Sequence, residues 1–145
     1  MKVTGTIFVK KNEIGDFIWM KDQKEYYNSL FIFNDNTEYH DTNKRGAGNA
    51  LMRPYNKYNT SLEKPISAGI PTGSLKDGGF MEFNKEVKKI IDDSFQEIRE
   101  LIKKYNYSEI IYSTDKDGNL GTNLFEVNKD VIKYITFLIK SLEKI

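Results

Sequence analysis

Three segments of this chain combine glycine with residues suited to holding an anion. The first begins at Asn34-Asp35-Asn36 and continues to Arg45-Gly46-Ala47-Gly48-Asn49-Ala50. The second runs from Gly69-Ile70-Pro71-Thr72-Gly73 to Asp77-Gly78-Gly79-Phe80. The third is Thr114-Asp115-Lys116-Asp117-Gly118-Asn119-Leu120-Gly121-Thr122-Asn123. Eight of the ten glycines fall within these segments, which concentrates the chain's backbone freedom there. Glycine lets backbone N–H groups turn inward and approach a ligand with no Cβ in the way. Successive inward amides form a concave anion site, and a helix N-terminus beneath such a loop adds partial positive charge. A short helix after Gly48 meets that need, and Arg53 is placed to close on a phosphate with two charge-assisted hydrogen bonds. Only three of the 22 basic residues are arginines (Arg45, Arg53 and Arg99), and each carries weight, because a planar guanidinium matches phosphate better than an ammonium does. Asp35 either meets an adenine amine or ribose hydroxyl, or caps a turn. Phe80, after two glycines, is either core or a platform on which a base stacks. Glycine also serves wherever a turn needs positive φ; three such loops on one edge point beyond turns to a site.

Other chemistries find less support. The chain has no cysteine, which removes disulfides, thiolate zinc sites and cysteine nucleophiles together. His40 is the sole histidine and reads as a solvated residue of a polar loop, so no transition-metal site is expected. Asp115 and Asp117 flank Gly118, but no flanking helices of a calcium-binding hand fit around them. There is no G-x-S-x-G elbow, no Walker loop and no G-x-G-x-x-G after a strand. No cofactor is implied. With 22 basic against 21 acidic residues, the chain has no bulk attraction to nucleic acid or an anionic membrane. No stretch approaches the ~20 apolar residues that span a bilayer, and Met1 to Lys11 lacks a signal-peptide pattern, so a cytoplasmic protein is expected.

The elements that must position these loops read as an alternation. Val3 to Lys10 and Phe17 to Met20 are expected to form an N-terminal β-hairpin through Asn12-Glu13-Ile14-Gly15-Asp16. Leu30-Phe31-Ile32-Phe33 is a continuous apolar run, as in a strand buried on both faces. Ala50 to Arg53 is expected as a short helix stopped by Pro54, Ile66 to Ile70 as a strand, and Pro71 to Gly79 as loop. Val87, Ile91, Phe95, Ile98 and Ile102 recur at helical spacing behind Asn84, a suitable N-cap. Val131, Ile135, Leu138 and Leu142 do the same behind Asn128, and Glu109 to Ser113 between the helices reads as a strand. A chain of 145 residues with this order makes one α/β domain: three layers, with a mostly parallel mixed sheet flanked by helices and the hairpin over residues 1–29. Ligands of such sheets bind beyond the carboxyl ends of the strands, where all three loops would lie.

Phe31-Ile32-Phe33-Asn34-Asp35-Asn36, Gly46-Ala47-Gly48-Asn49-Ala50 and Gly69-Ile70-Pro71-Thr72-Gly73 together resemble a family of small phage and bacterial proteins. That family carries an Asp-Asn strand end, a Gly-x-Gly-x-Ala loop and a Gly-Ile-Pro-Thr turn, and Leu120-Gly121-Thr122-Asn123-Leu124 is similar to its late Gly-Thr-Gly segment. The likeness runs from about residue 30 to residue 135. The family is similar in layout to macro domains, which bind ADP-ribose. The resemblance implies that the Gly46 and Thr72 loops straddle a pyrophosphate and that Phe80 lies near the distal ribose. The macro Asn-Ala-Ala-Asn signature is absent, and Ala47 interrupts the glycine run.

Three functions follow as expectations. The first is a module that holds an ADP-ribose-like or other nucleotide metabolite, with Asp35 on the base, Gly46, Gly48, Thr72 and Gly73 on phosphate and Arg53 as a clamp, and with Asn36, Asn49, Pro71, Gly78, Gly79, Phe80, Gly121 and Thr122 as further ligand contacts. In the phage setting that the resemblance implies, such a module would sequester a nucleotide immune signal. The second is a hydrolase of an ADP-ribosyl or related glycosidic bond, in which Asp35 or Asp115 activates water. The third is an interaction protein, given 18 Tyr and Phe residues, whose N-terminal hairpin adds to a sheet edge or forms a homodimer.

Overall fold

One strand divides the molecule into its layers. In β2 (Ser29–Asn36) side chains alternate across the sheet, so Leu30 and Ile32 face one way while Phe31 and Phe33 face the other. All four are buried, which requires cover on both faces. On the first face lie α2 (Lys85–Lys104) and α3 (Lys129–Ser141), which pack Ile91, Phe95, Ile98, Val131, Ile135 and Ile139 against Leu30, Ile32, Ile70 and Ile110. On the second lie a single helical turn, α1 (Phe17–Met20), and a 3-10 helix over Gly48–Tyr55, which enclose Phe17, Met20, Phe31, Phe33, Met52 and Ile111. The computed structural model describes residues 1–122 and 125–145, and among them the protein is a three-layer α/β assembly.

The sheet has five strands in the order β1-β5-β2-β3-β4, with β1 at Lys2–Thr6, β3 at Ser67–Ser74, β4 at Gly78–Gly79 and β5 at Glu109–Ser113. Three of the pairings, β1 with β5, β5 with β2 and β2 with β3, are parallel, and only the two-residue β4 runs antiparallel to its neighbour. Four strands therefore present their carboxyl ends to the same edge. Both long helices start where their caps were expected. The Asn84 side chain accepts the Val87 amide, and the Asn128 side chain accepts that of Asp130. Among the described residues, no helix is long and apolar enough to cross a membrane.

Two expectations are corrected. No N-terminal hairpin forms: β1 pairs in parallel with β5, at Val3↔Ile110, and Phe17–Met20 is helical. The Asp16 carbonyl accepts the amides of Trp19 and Met20, and this turn drives Phe17 and Met20 to full burial beside Phe31. Each side chain so buried contributes roughly 1.5–3 kcal/mol, which offsets much of the cost of ordering one short turn. A four-residue apolar run does not distinguish strand from helix by itself. The homodimer reading loses the hairpin on which it stood. Secondly, the strand after Ile66 does not stop at Ile70 but continues through Pro71 to Ser74. Pro71 sits opposite Asp35 of β2, and β3 meets β4 only at Gly73 and Ser74, so no strand on that side asks Pro71 for an amide proton.

Candidate functional site

A cavity of about 440 Å³ opens at the carboxyl edge of the parallel strands. That size suits a small organic ligand. Its walls take Asn34, Asp35 and Asn36 from the end of β2, Thr72 from β3, Ser113 from β5 and Phe8 beyond β1. The loop Arg45-Gly46-Ala47-Gly48-Asn49-Ala50 and the segment Gly121-Thr122 complete it, with Tyr39, Leu75 and Phe125 as apolar walls. All three glycine segments thus reach one opening, by way of Gly46 and Gly48, Thr72, and Gly121 and Thr122. Asn123 and Leu124, the last members of the third motif, lie outside the described residues.

Beneath the cavity is a chain of committed charges. The Asp35 side chain is completely covered, and Arg53 is 2% exposed. Asp35 Oδ1 accepts Arg53 Nε at 3.0 Å, Arg53 Nη2 at 2.5 Å and the Asn36 amide at 2.8 Å. Arg53 Nη1 donates to the Lys44 carbonyl at 3.0 Å. Gly69, on the neighbouring strand, leaves room for this carboxylate, since a Cβ there would lie 2.3 Å from Asp35 Oδ2. The other side of Asp35 faces His40, whose Nδ1 is 3.4 Å from Oδ2. His40 Nε2 in turn lies 3.5 Å from Glu97 of α2, and Glu97 Oε1 accepts the Tyr58 hydroxyl at 2.9 Å. Burial pulls the His40 pKa down, but hydrogen bonding and attraction to Asp35 and Glu97 outweigh it and raise the pKa to about 9. Burial opposes ionisation of Glu97, yet His40, Tyr58 and Lys57 hold its carboxyl below the usual range.

This network changes three of the sequence expectations. Arg53 is not a free phosphate clamp, because its fork is spent on Asp35 and on the Lys44 carbonyl. Asp35 offers no open carboxylate to a base or a water molecule. His40 is no solvated loop residue but a half-buried bridge between two acids. Tyr58 and Glu97, 23 and 62 positions from Asp35, are brought into this network only by the fold.

The asparagines at the rim are committed too. Asn49 Oδ1 accepts the Phe17 amide, and its Nδ2 donates to the Gly15 carbonyl and to Ser113 Oγ, so it rivets the N-terminal segment to β5. Asn36 Oδ1 accepts the Tyr39 amide at 2.9 Å. Asn34 Nδ2 donates to the Gly121 carbonyl at 2.6 Å and fixes the third loop at the cavity. On the opposite flank Glu38, an exposed side chain, accepts the amides of Leu75 and Lys76. Those amides, Leu75 first, hold its carboxyl below the usual carboxylate range.

Several expected ligand contacts lie elsewhere. Pro71 and Gly73 are strand residues, and Gly73, Gly78 and Gly79 serve the close β3–β4 approach. A Cβ on Gly73 would meet the Gly78 carbonyl oxygen at 2.2 Å. Phe80 packs on the α2/α3 core and donates its amide to the Thr72 carbonyl, so it is a core residue and not a stacking platform. Asp115 is exposed, and its Oδ1 accepts the amides of Asp117 and Asn119, closing its own turn away from the cavity wall. It is not placed to activate water in the cavity.

The rim also carries uncommitted groups. Among the described residues, the amides of Ala47, Gly48 and Asn49 have no acceptor at the N-terminus of the 3-10 helix. Gly48 holds φ at +58°, the left-handed conformation that bends the loop there. The Thr72 hydroxyl is buried with no hydrogen-bond partner among the described residues. No family model, curated protein or solved structure matches this chain.

Proposed function

We propose that this protein is a binding module for an anionic, nucleotide-derived metabolite of the ADP-ribose type, held in the cavity at the strand ends. The observation that carries the reading is the division of labour there. The charged side chains of the floor are paired with one another, Arg53 with Asp35 and His40 with Asp35 and Glu97, while the amides of residues 47–49 and the Thr72 hydroxyl have no partner among the described residues. Aligned amides at a helix start favour a phosphate or another anion. The apolar walls Phe8, Tyr39, Leu75 and Phe125 suit the flat or aliphatic remainder of such a ligand. The motif resemblance to macro-domain-like phage and bacterial proteins points to the same ligand class, and a cysteine-free chain fits a cytoplasmic setting.

Holding is favoured over cutting. A glycosidic hydrolase needs a base within reach of water. Asp35 is covered by Arg53 and His40, and Asp115 closes a turn elsewhere. A module that returns its ligand intact is also what sequestration of a nucleotide signal requires. Isothermal titration with ADP-ribose, ADP, AMP and adenosine, followed by chromatography of the recovered ligand, tests this. Saturable binding of a phosphate-bearing member with intact recovery is expected. Turnover would establish the hydrolase instead, and heat from none of the four would remove both readings.

A further inference from the structure

We infer that Arg45, not the buried Arg53, is the cation that selects a phosphate-bearing ligand at this cavity; the inference rests on the proposed binding role of the same site. Three cations surround the rim loop, and two of them are occupied. Arg53 is bonded to Asp35. The Lys44 ammonium lies 5.2 Å from the centre of the Tyr39 ring. Arg45 lines the cavity and is exposed, and among the described residues its guanidinium has neither a hydrogen bond nor an ion pair.

Its backbone, by contrast, is fixed on both sides. The preceding carbonyl, of Lys44, accepts from Arg53 Nη1 at 3.0 Å, and the following amide, of Gly46, donates to the Ala50 carbonyl at 3.1 Å. The buried ion pair therefore anchors the base of the Arg45 side chain while leaving its head free. A free planar fork on an anchored stem at the mouth of a cavity is suited to bidentate capture of phosphate. No open carboxylate competes for it among the described lining residues, since the only acid there, Asp35, is covered. The amides of residues 47–49 follow Arg45 directly in the loop, so one phosphate group can draw on both.

The test compares Arg45→Ala and Arg45→Lys with the unaltered protein, using ADP-ribose, AMP and adenosine as probes at low and moderate salt. A charge-assisted pair at a partly screened rim is worth roughly tenfold in affinity or more. Arg45→Ala is expected to weaken ADP-ribose and AMP by about that factor, flatten their salt dependence and leave adenosine unchanged, while Arg45→Lys recovers part of the loss. The melting temperature of each variant, measured alongside, is expected to match the unaltered protein and so exclude loss of fold. Equal affinity of Arg45→Ala and the unaltered protein for both phosphate-bearing probes would overturn the role of Arg45 and leave the cavity as a binding site. Failure of the unaltered protein to bind either probe would overturn the binding site and the role of Arg45 together.

Discussion

The floor and the rim of the cavity are built on opposite terms. On the floor, Arg53, Asp35, His40, Glu97 and Tyr58 form a connected chain of charge pairs and hydrogen bonds. At the rim, Arg45 and the amides of residues 47–49 have no partner among the described residues. The two regions share the 3-10 helix over Gly48–Tyr55, which starts at the rim and carries Arg53, and are tied again where Arg53 holds the Lys44 carbonyl. The contrast shows how a chain with few arginines uses two of them. One is placed where desolvation makes it indispensable to the fold, and the other where solvent keeps it available. Floor substitutions should therefore cost stability, and substitution of the unpaired Arg45 at the rim should cost only binding.

The largest effect is expected at Arg53. Arg53→Met leaves Asp35 buried without its main partner, a loss of about 3–5 kcal/mol. Chemical denaturation of the variant checks it, and a shift of under 1 kcal/mol would break the distinction between floor and rim. His40 comes next and brings a pH signature. Its folded pKa of about 9 lies above its unfolded value near 6.5, so its contribution is complete below pH 6.5 and is lost as pH rises through 9. His40→Gln should therefore destabilise by on the order of 2 kcal/mol at pH 6 and by little at pH 10. As the only histidine, His40 gives one set of imidazole resonances, whose titration by NMR reads the same pKa directly. Asn49→Ala removes three hydrogen bonds between the N-terminal segment, the rim and β5, and should cost roughly 1–3 kcal/mol in a thermal or urea melt. The smallest change in stability belongs to Arg45→Ala, within about 0.5 kcal/mol of the unaltered protein, because the side chain is exposed.

These same residues mark how far the sequence was legible. The amphipathic repeats of α2 and α3, the asparagine caps and the β5 run are local signals, and each corresponds to an element. The convergence of Gly46, Gly48, Thr72, Gly121 and Thr122 on one edge followed from the parallel order of strands, which alternation of strand and helix implies. The α1 turn was not legible, because four apolar residues carry no period. The extension of β3 was hidden by Pro71, which reads as a breaker unless one knows that β2 pairs with it on one side and no strand does on the other. The roles of Arg53 and Asp35 were misassigned for a different cause. A buried ion pair and a phosphate clamp use the same residue types, and only tertiary packing decides which forms.

The central claim is that the rim, rather than the floor or the outlying loops, meets a ligand. Titrating isotope-labelled protein with ADP-ribose and following every backbone amide by NMR tests it most directly. The account predicts saturable shifts centred on Ala47, Gly48, Asn49, Thr72 and Gly121, with Gly78, Phe80 and Asp117 unmoved. An unperturbed rim, whether the spectrum stays still throughout or changes only around the Asp115–Gly118 turn or the α2/α3 layer, would contradict it.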